Sequence, residues 1–179
     1  VGSLDIRSRS NKIDAPVPFE YKGFGDLDLQ ALFGTSNYYT EAIAGAAGMK
    51  TAASGSYVVN VLDDKLEASI GSFSEIEADG PVRVDTQYAA STRAVTGSVS
   101  AAAEKVGVGT AMTNILNTTT VSSVVEEYAR IAASSVGVTA SADTDISSFA
   151  ASAAAADSAG VAGVSSLMVS DNRVEAALG

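Results

Sequence analysis

Two groups of carboxylates are the first residues in this chain that could do chemistry: Asp63-Asp64 and Asp143-Thr144-Asp145. Paired acids serve as general acid and base in glycoside cleavage, or as oxygen ligands for Ca²⁺. The chain has no histidine and no cysteine. That removes Ser-His nucleophilic triads, histidine general bases, thiolate chemistry, disulfides and most catalytic zinc sites. The acids do not recur along the chain: Asp64 aligns with Thr118 and Asn172, and Asp28 with Arg83 and Gly137. A stacked metal ladder needs the acid in every copy, so these acids read as solvated turn residues. The sequence predicts no catalytic, cofactor or metal site.

Three other groups have structural readings. Asn60 and Asn114 are expected to share a column as a stacked amide ladder. Thr118-Thr119-Thr120 reads as a threonine-rich turn, and Tyr38-Tyr39 as an aromatic anchor or an exposed partner contact.

The composition bounds the scaffold. The 179 residues are 46% hydrophobic, with alanine the commonest residue, 6% aromatic and no tryptophan. Small side chains fill only a narrow interior, which favours closely spaced sheets. A formal charge of −10 disfavours nucleic acid and anionic lipid as partners. No apolar leader opens the chain and no run is long enough to span a bilayer, so neither membrane insertion nor a signal within this stretch is expected.

Self-comparison finds a period of about 54 residues. GSYVVNVL (55–62), GTAMTNIL (109–116) and GVSSLMVS (163–170) align without gaps, and each is followed by a polar segment and another apolar run. In a second set, Leu27, Val82 and Val136 share a column, as do Leu29, Val84 and Val138. A third set aligns Ala44, Ser98 and Ser152. The middle copy carries one extra residue, placed next to Asn117.

Period-two alternation makes these segments strands. Val82 and Val84 oppose Arg83 and Asp85. Tyr57, Val59 and Val61 share one face, while Val58 and Leu62 make the other face apolar too, as in a strand covered on both sides. Asp63, Asn117 and Asp171 are expected to form a turn column that closes the strand. Gly25, Gly55, Gly80, Gly109 and Gly163 sit near expected strand starts. The Ala-rich run 147–159 and the stretch 124–133 are compatible with helix by propensity. Their alignment with Gly, Ser and β-branched residues favours strand.

The expected fold is therefore all-β: a parallel β-helix (β-solenoid) of ~54-residue tandem repeats, each holding two coils of about 27 residues in preference to three. Residues 1–24 form an atypical first coil with a Pro-containing loop. Residues 25–179 hold three copies, roughly 25–79, 80–134 and 135–179, and read as an excerpt of a longer chain.

GSYVVNVLDDKLEASIG followed by EADGPVRVDTQYAAST resembles the repeats of large filamentous bacterial adhesins, of leukotoxin-family or filamentous haemagglutinin-like type, from Fusobacterium and Selenomonas-type bacteria. The resemblance runs from about Gly25 to Gly179 through Val59-Asn60-Val61, Glu67-Ala68-Ser69-Ile70-Gly71 and Glu175-Ala176-Ala177-Leu178-Gly179. It lapses where Ser122-Ser123 replaces Glu-Ala and where Met168 replaces the Asn. The resemblance implies a secreted, cell-surface β-helical shaft with an adhesive role. The expected partners are copies of itself or neighbouring repeats end to end, and host or bacterial surface receptors. A carbohydrate-binding or carbohydrate-active β-helix is the alternative function.

Overall fold

A computed structural model describes residues 2–10 and 37–179. All regular structure among the described residues is strand: β1 (Leu4–Ser10), β2 (Tyr38–Gly48), β3 (Thr51–Ile70), β4 (Glu75–Glu77), β5 (Pro81–Ala102), β6 (Val106–Val125), β7 (Arg130–Ala132), β8 (Ser135–Ala156) and β9 (Ala159–Leu178). Every ladder is parallel. One sheet holds β1, β2, β5 and β8, a second orders β3-β6-β9, and β4 pairs with β7 as a short third.

The step between paired residues corrects the expected coil length. Tyr38 pairs with Thr92 and Thr92 with Ile146, and side-chain bonds between neighbouring layers join residues 53 to 55 apart. One layer therefore consumes the whole period, where two layers were expected. The reason is strand length. β5 and β8 run 22 residues and β3, β6 and β9 run 20, so two long strands and one short one use up the period.

Strands this long leave no room for the turns placed inside them. Asp63 and Asn117 lie within β3 and β6, and Asp171 within β9. The extra residue of the middle copy sits at the corner 103–105, where the other layers turn over Met49–Lys50 and 157–158. This moves the register of β6 by one. Gly55 pairs with Thr110, not Gly109, and Asn60 pairs with Ile115, not Asn114. A one-residue slip exchanges the two faces of a strand. Asn60 consequently points inward and receives the Thr40 hydroxyl at 2.7 Å, while the Asn114 amide donates outward to the Tyr57 hydroxyl at 2.9 Å. The amide ladder does not form.

The other columns keep their expected partners: Val82 with Val136, Val84 with Val138, Ala44 with Ser98, and Ser98 with Ser152. Val82 and Val84 are wholly buried and Arg83 is exposed, as alternation requires. Leu4 and Ile6 pair with Val82 and Val84, in the positions assigned to Leu27 and Leu29. The strand expected at 25–31 and the Pro-containing loop at 11–24 lie outside the described residues. The Ala-rich run forms the end of β8; ladder bonds and packing there override the helical propensity of alanine.

The two long sheets face each other across a wedge-shaped interior. Its wide end holds Ala68, Ile70, Val82, Val84 and Val125, flanked by Ile76 and Ile131 of the short sheet. The middle holds Val58, Ala94 and Ile115, and towards the narrow end the buried side chains shrink to Ala52, Ala111, Ser98 and Ser100. Thr96 and Thr113 meet hydroxyl to hydroxyl at 2.8 Å, and Ser100 donates to the Ala52 carbonyl at 2.7 Å. These bonds cross between sheets and satisfy polar groups that would otherwise be stranded.

Glycines set the taper. A Cβ on Gly107 would stand 2.6 Å from the Ala155 carbonyl oxygen, and one on Gly109 would stand 2.7 Å from that of Ala153. Gly109, three residues into β6 and so near its start as expected, is thus a close-approach residue. Gly109→Ala must push the sheets apart and should destabilise by roughly 1–3 kcal/mol. Gly163→Ala, whose Cβ meets nothing nearer than 4.0 Å, should shift stability by less than about 0.5 kcal/mol. Equal losses in urea denaturation would contradict the close approach.

Candidate functional site

The acids come first, because they carried the possibility of catalysis. All four lie in strands, so the solvated-turn reading is corrected. Asp63 is outward and exposed. Asp64 faces inward and accepts the Tyr88 hydroxyl, in a band of polar side chains that includes Thr119 and Asn117. Asp143 and Asp145 project from the outer face of β8, where Asp145 pairs with Arg93 at 2.6 Å. Thr144, between them, points inward and its hydroxyl has no partner among the described residues. Asp64 and the Asp143–Asp145 pair therefore stand on opposite sides of the wall. Among the described residues no group of three acids is placed to hold a metal ion.

Thr118 and Thr120 are outward strand residues and Thr119 is buried. Tyr39 donates to Glu41 at 3.1 Å; burial, followed by the neighbouring Glu41 charge, pushes its phenol well above the ordinary tyrosine value. Tyr88 is raised likewise, by burial first and then by its bond to the Asp64 carboxylate.

Two further features were not singled out by motif. On the outer face of β1 and β5, Arg7, Arg9, Arg83 and Asp85 line an open groove of about 350 Å³ floored by Gly137 and Thr139. Its carboxylate, Asp85, accepts the Thr139 hydroxyl at 2.6 Å, and Arg7 is paired with Asp5 at 2.9 Å. At the corner before the short strands, Phe73 and Tyr128 stack in parallel, with ring centroids 5.2 Å apart. Both have positive φ, 60° and 66°, which is strained for a side chain of this size. Beside them Glu126 accepts the Ser72 amide at 2.8 Å and its hydroxyl at 2.7 Å, and these bonds hold its carboxyl below the usual value.

The clearest candidate for function is the layer formed by β8 and β9. Ile115, Val121 and Val125 of β6 are at most 2% exposed, whereas their register partners Met168, Val174 and Leu178 in β9 are 51%, 47% and 68% exposed. The same interior columns run through both strands. In β9 they are covered on one side only, beside an edge of open backbone groups. The outward face differs again from expectation: Tyr57, Val59 and Val61, read as covered, are exposed.

No family model, no curated protein and no solved structure matches this chain.

The Tyr88–Asp64 contact gives a pH prediction. A phenol whose folded value is raised stabilises the fold below its unfolded value, near 10, and that contribution is lost as pH rises through the folded value. Stability should therefore fall above pH ~10. Tyr88→Phe should cost about 1–3 kcal/mol at neutral pH, because Asp64 loses its donor, and should flatten the alkaline decline. Chemical denaturation at neutral and alkaline pH measures both; an unchanged alkaline slope in the variant would assign the decline elsewhere.

Proposed function

We propose that this chain is a layered segment of a parallel β-solenoid, which serves as the structural shaft or adhesive fibre of a secreted bacterial surface protein and has no catalytic activity of its own. The observation that carries this reading is the set of interior columns that pass through every layer and end uncovered in β9. A layer with open apolar columns and an open strand edge is completed by another layer of the same kind, whether from the same polypeptide or from a second copy end to end. The tandem repeat, at one coil per copy, is the simplest account of the 53-to-55-residue step.

The geometry also supports structure over catalysis. Asp145 is paired with Arg93 on the outer wall, and the interior is filled mainly by Val, Ala, Ser and Thr. The adhesive, secreted role rests on the resemblance of the Val59-Asn60-Val61 and Glu67–Gly71 motifs alone.

Placing a charge on the open column tests the reading. The chain should self-associate end to end at high concentration, with a repeat of about 4.7–4.9 Å along the stack in fibre diffraction. Met168→Lys should suppress this, because a buried lysine in the next layer has no partner. Association that survives Met168→Lys, or reproducible polysaccharide cleavage abolished by Asp143→Asn or Asp145→Asn, would overturn it.

A further inference from the structure

The outer face of the β3-β6-β9 sheet divides sharply along the strands. The outward side chains of residues 51–61, 106–116 and 159–169 include no charge. Immediately beyond come Asp63, Lys65 and Glu67 on β3, and Asp171, Arg173 and Glu175 on β9. Within the uncharged part Tyr57, Val61, Met112, Leu116, Leu167 and Val169 are all at least 41% exposed. The outer face of the opposite sheet is unlike this: it carries Arg7, Arg9, Arg83, Asp85, Arg93 and Asp145. The contrast lies between two walls of one molecule, so general surface composition does not explain it.

Two features make the apolar block fit for a dry interface. Its shape is that of a pleated surface on which large side chains such as Tyr57 and Met112 alternate with small ones such as Gly55 and Gly163, and such a surface interdigitates with another about 10 Å away. The Asn114 amide donates to the Tyr57 hydroxyl at 2.9 Å, so this pair enters a contact already bonded to each other. Six outward positions on each of three strands, at about 6.7 Å by 4.8 Å per position, cover roughly 600 Å². That uncharged area includes Thr51, Thr110, Asn114 and Ser165, and its apolar remainder is within the range of the largest apolar patch of an ordinary monomer.

We propose that this face docks a second copy of the same chain, back to back, through the apolar blocks of both. The self-complementary size of the block selects this occupant, and two chains of net charge −10 repel least where they meet through a surface that carries no charge. With the strands of the two copies running antiparallel across the contact, the charged segments at 63–67 and 171–175 project beyond opposite ends and stay solvated. The pair buries about 1,200 Å² in total, at the lower limit of stable specific interfaces. The pairing is lateral and independent of the end-to-end stacking proposed above, since it uses the sheet face and not the strand edge.

Sedimentation of the 179-residue chain tests it. The chain should dimerise reversibly, and the dimer should tighten several-fold between about 50 mM and 500 mM NaCl as the net-charge repulsion is screened. Val61→Lys with Leu116→Lys, both at exposed positions, should leave the melting temperature unchanged and weaken the dimer by at least about tenfold. Met168→Lys should leave the dimer intact, which separates this contact from end-to-end stacking. Met112 lies near the centre of the block, so Met112→Cys should cross-link to its own copy with a short bismaleimide, while Thr120→Cys should not. A monomer at all salt concentrations, a dimer indifferent to the two lysines, or equal cross-linking at 112 and 120 would overturn the proposal.

Discussion

The distance between the two facing sheets constrains everything else in this molecule. Where Gly107 and Gly109 face the Ala153 and Ala155 carbonyls, the gap admits no Cβ, and where Val82 and Val84 meet Ile70 and Val125 it admits branched side chains. The composition follows from this taper. Alanine, serine and threonine fill the intermediate widths, and inward hydroxyls bond across the gap, as Thr96 does with Thr113 and Ser100 with the Ala52 carbonyl. A larger side chain in the narrow part would not only overpack one position. It would separate the sheets over neighbouring layers, because the same columns run through all of them.

Parallel stacking of long strands gives this chain a broad wall and little height. A 22-residue strand spans about 70 Å, whereas each layer adds only about 4.8 Å. One layer therefore builds reach slowly and lateral surface quickly. This shifts the functional weight from pockets to walls and edges. The edge at β8–β9 offers uncovered interior columns, and the wall of β3-β6-β9 offers an uncharged block beside a charged one. The acids that might have made an enzyme are parted by the sheet of β5 and β8, with Asp64 bonded to Tyr88 inside and Asp145 bonded to Arg93 outside.

How much was legible in the sequence depends on which signal was local. Alternation over Val82–Asp85 and the 54-residue spacing of Val84 and Val138 are strong local patterns, and they gave strand, face and partner correctly. Coil length was not legible, because Asp63 and Asn117 carry the chemistry of turn residues yet sit in strands whose ladders extend well past them. The register of β6 failed for a related reason. An extra residue can be placed at any polar site in an alignment, and only the geometry of the corner at 103–105 fixes it there. That single displacement moved Asn114 to the outside and Ile115 to the interior. The apolar run at Tyr57–Leu62 was visible, but which side of it lacked a cover was a property of the assembled sheets.

The register itself is the central claim, and electron spin resonance on paired labels tests it most directly in a chain without native cysteine. Cysteines at Thr120 and Arg173, register partners on the outer face of β6 and β9, place two nitroxides on neighbouring strands about 4.8 Å apart. Strong dipolar broadening is the predicted result for that pair. Labels at Thr120 and Ser147, which stand half a period apart on walls facing opposite ways, should show none. Broadening in the 120–147 pair and its absence in the 120–173 pair would contradict the one-coil layer and the structure built on it.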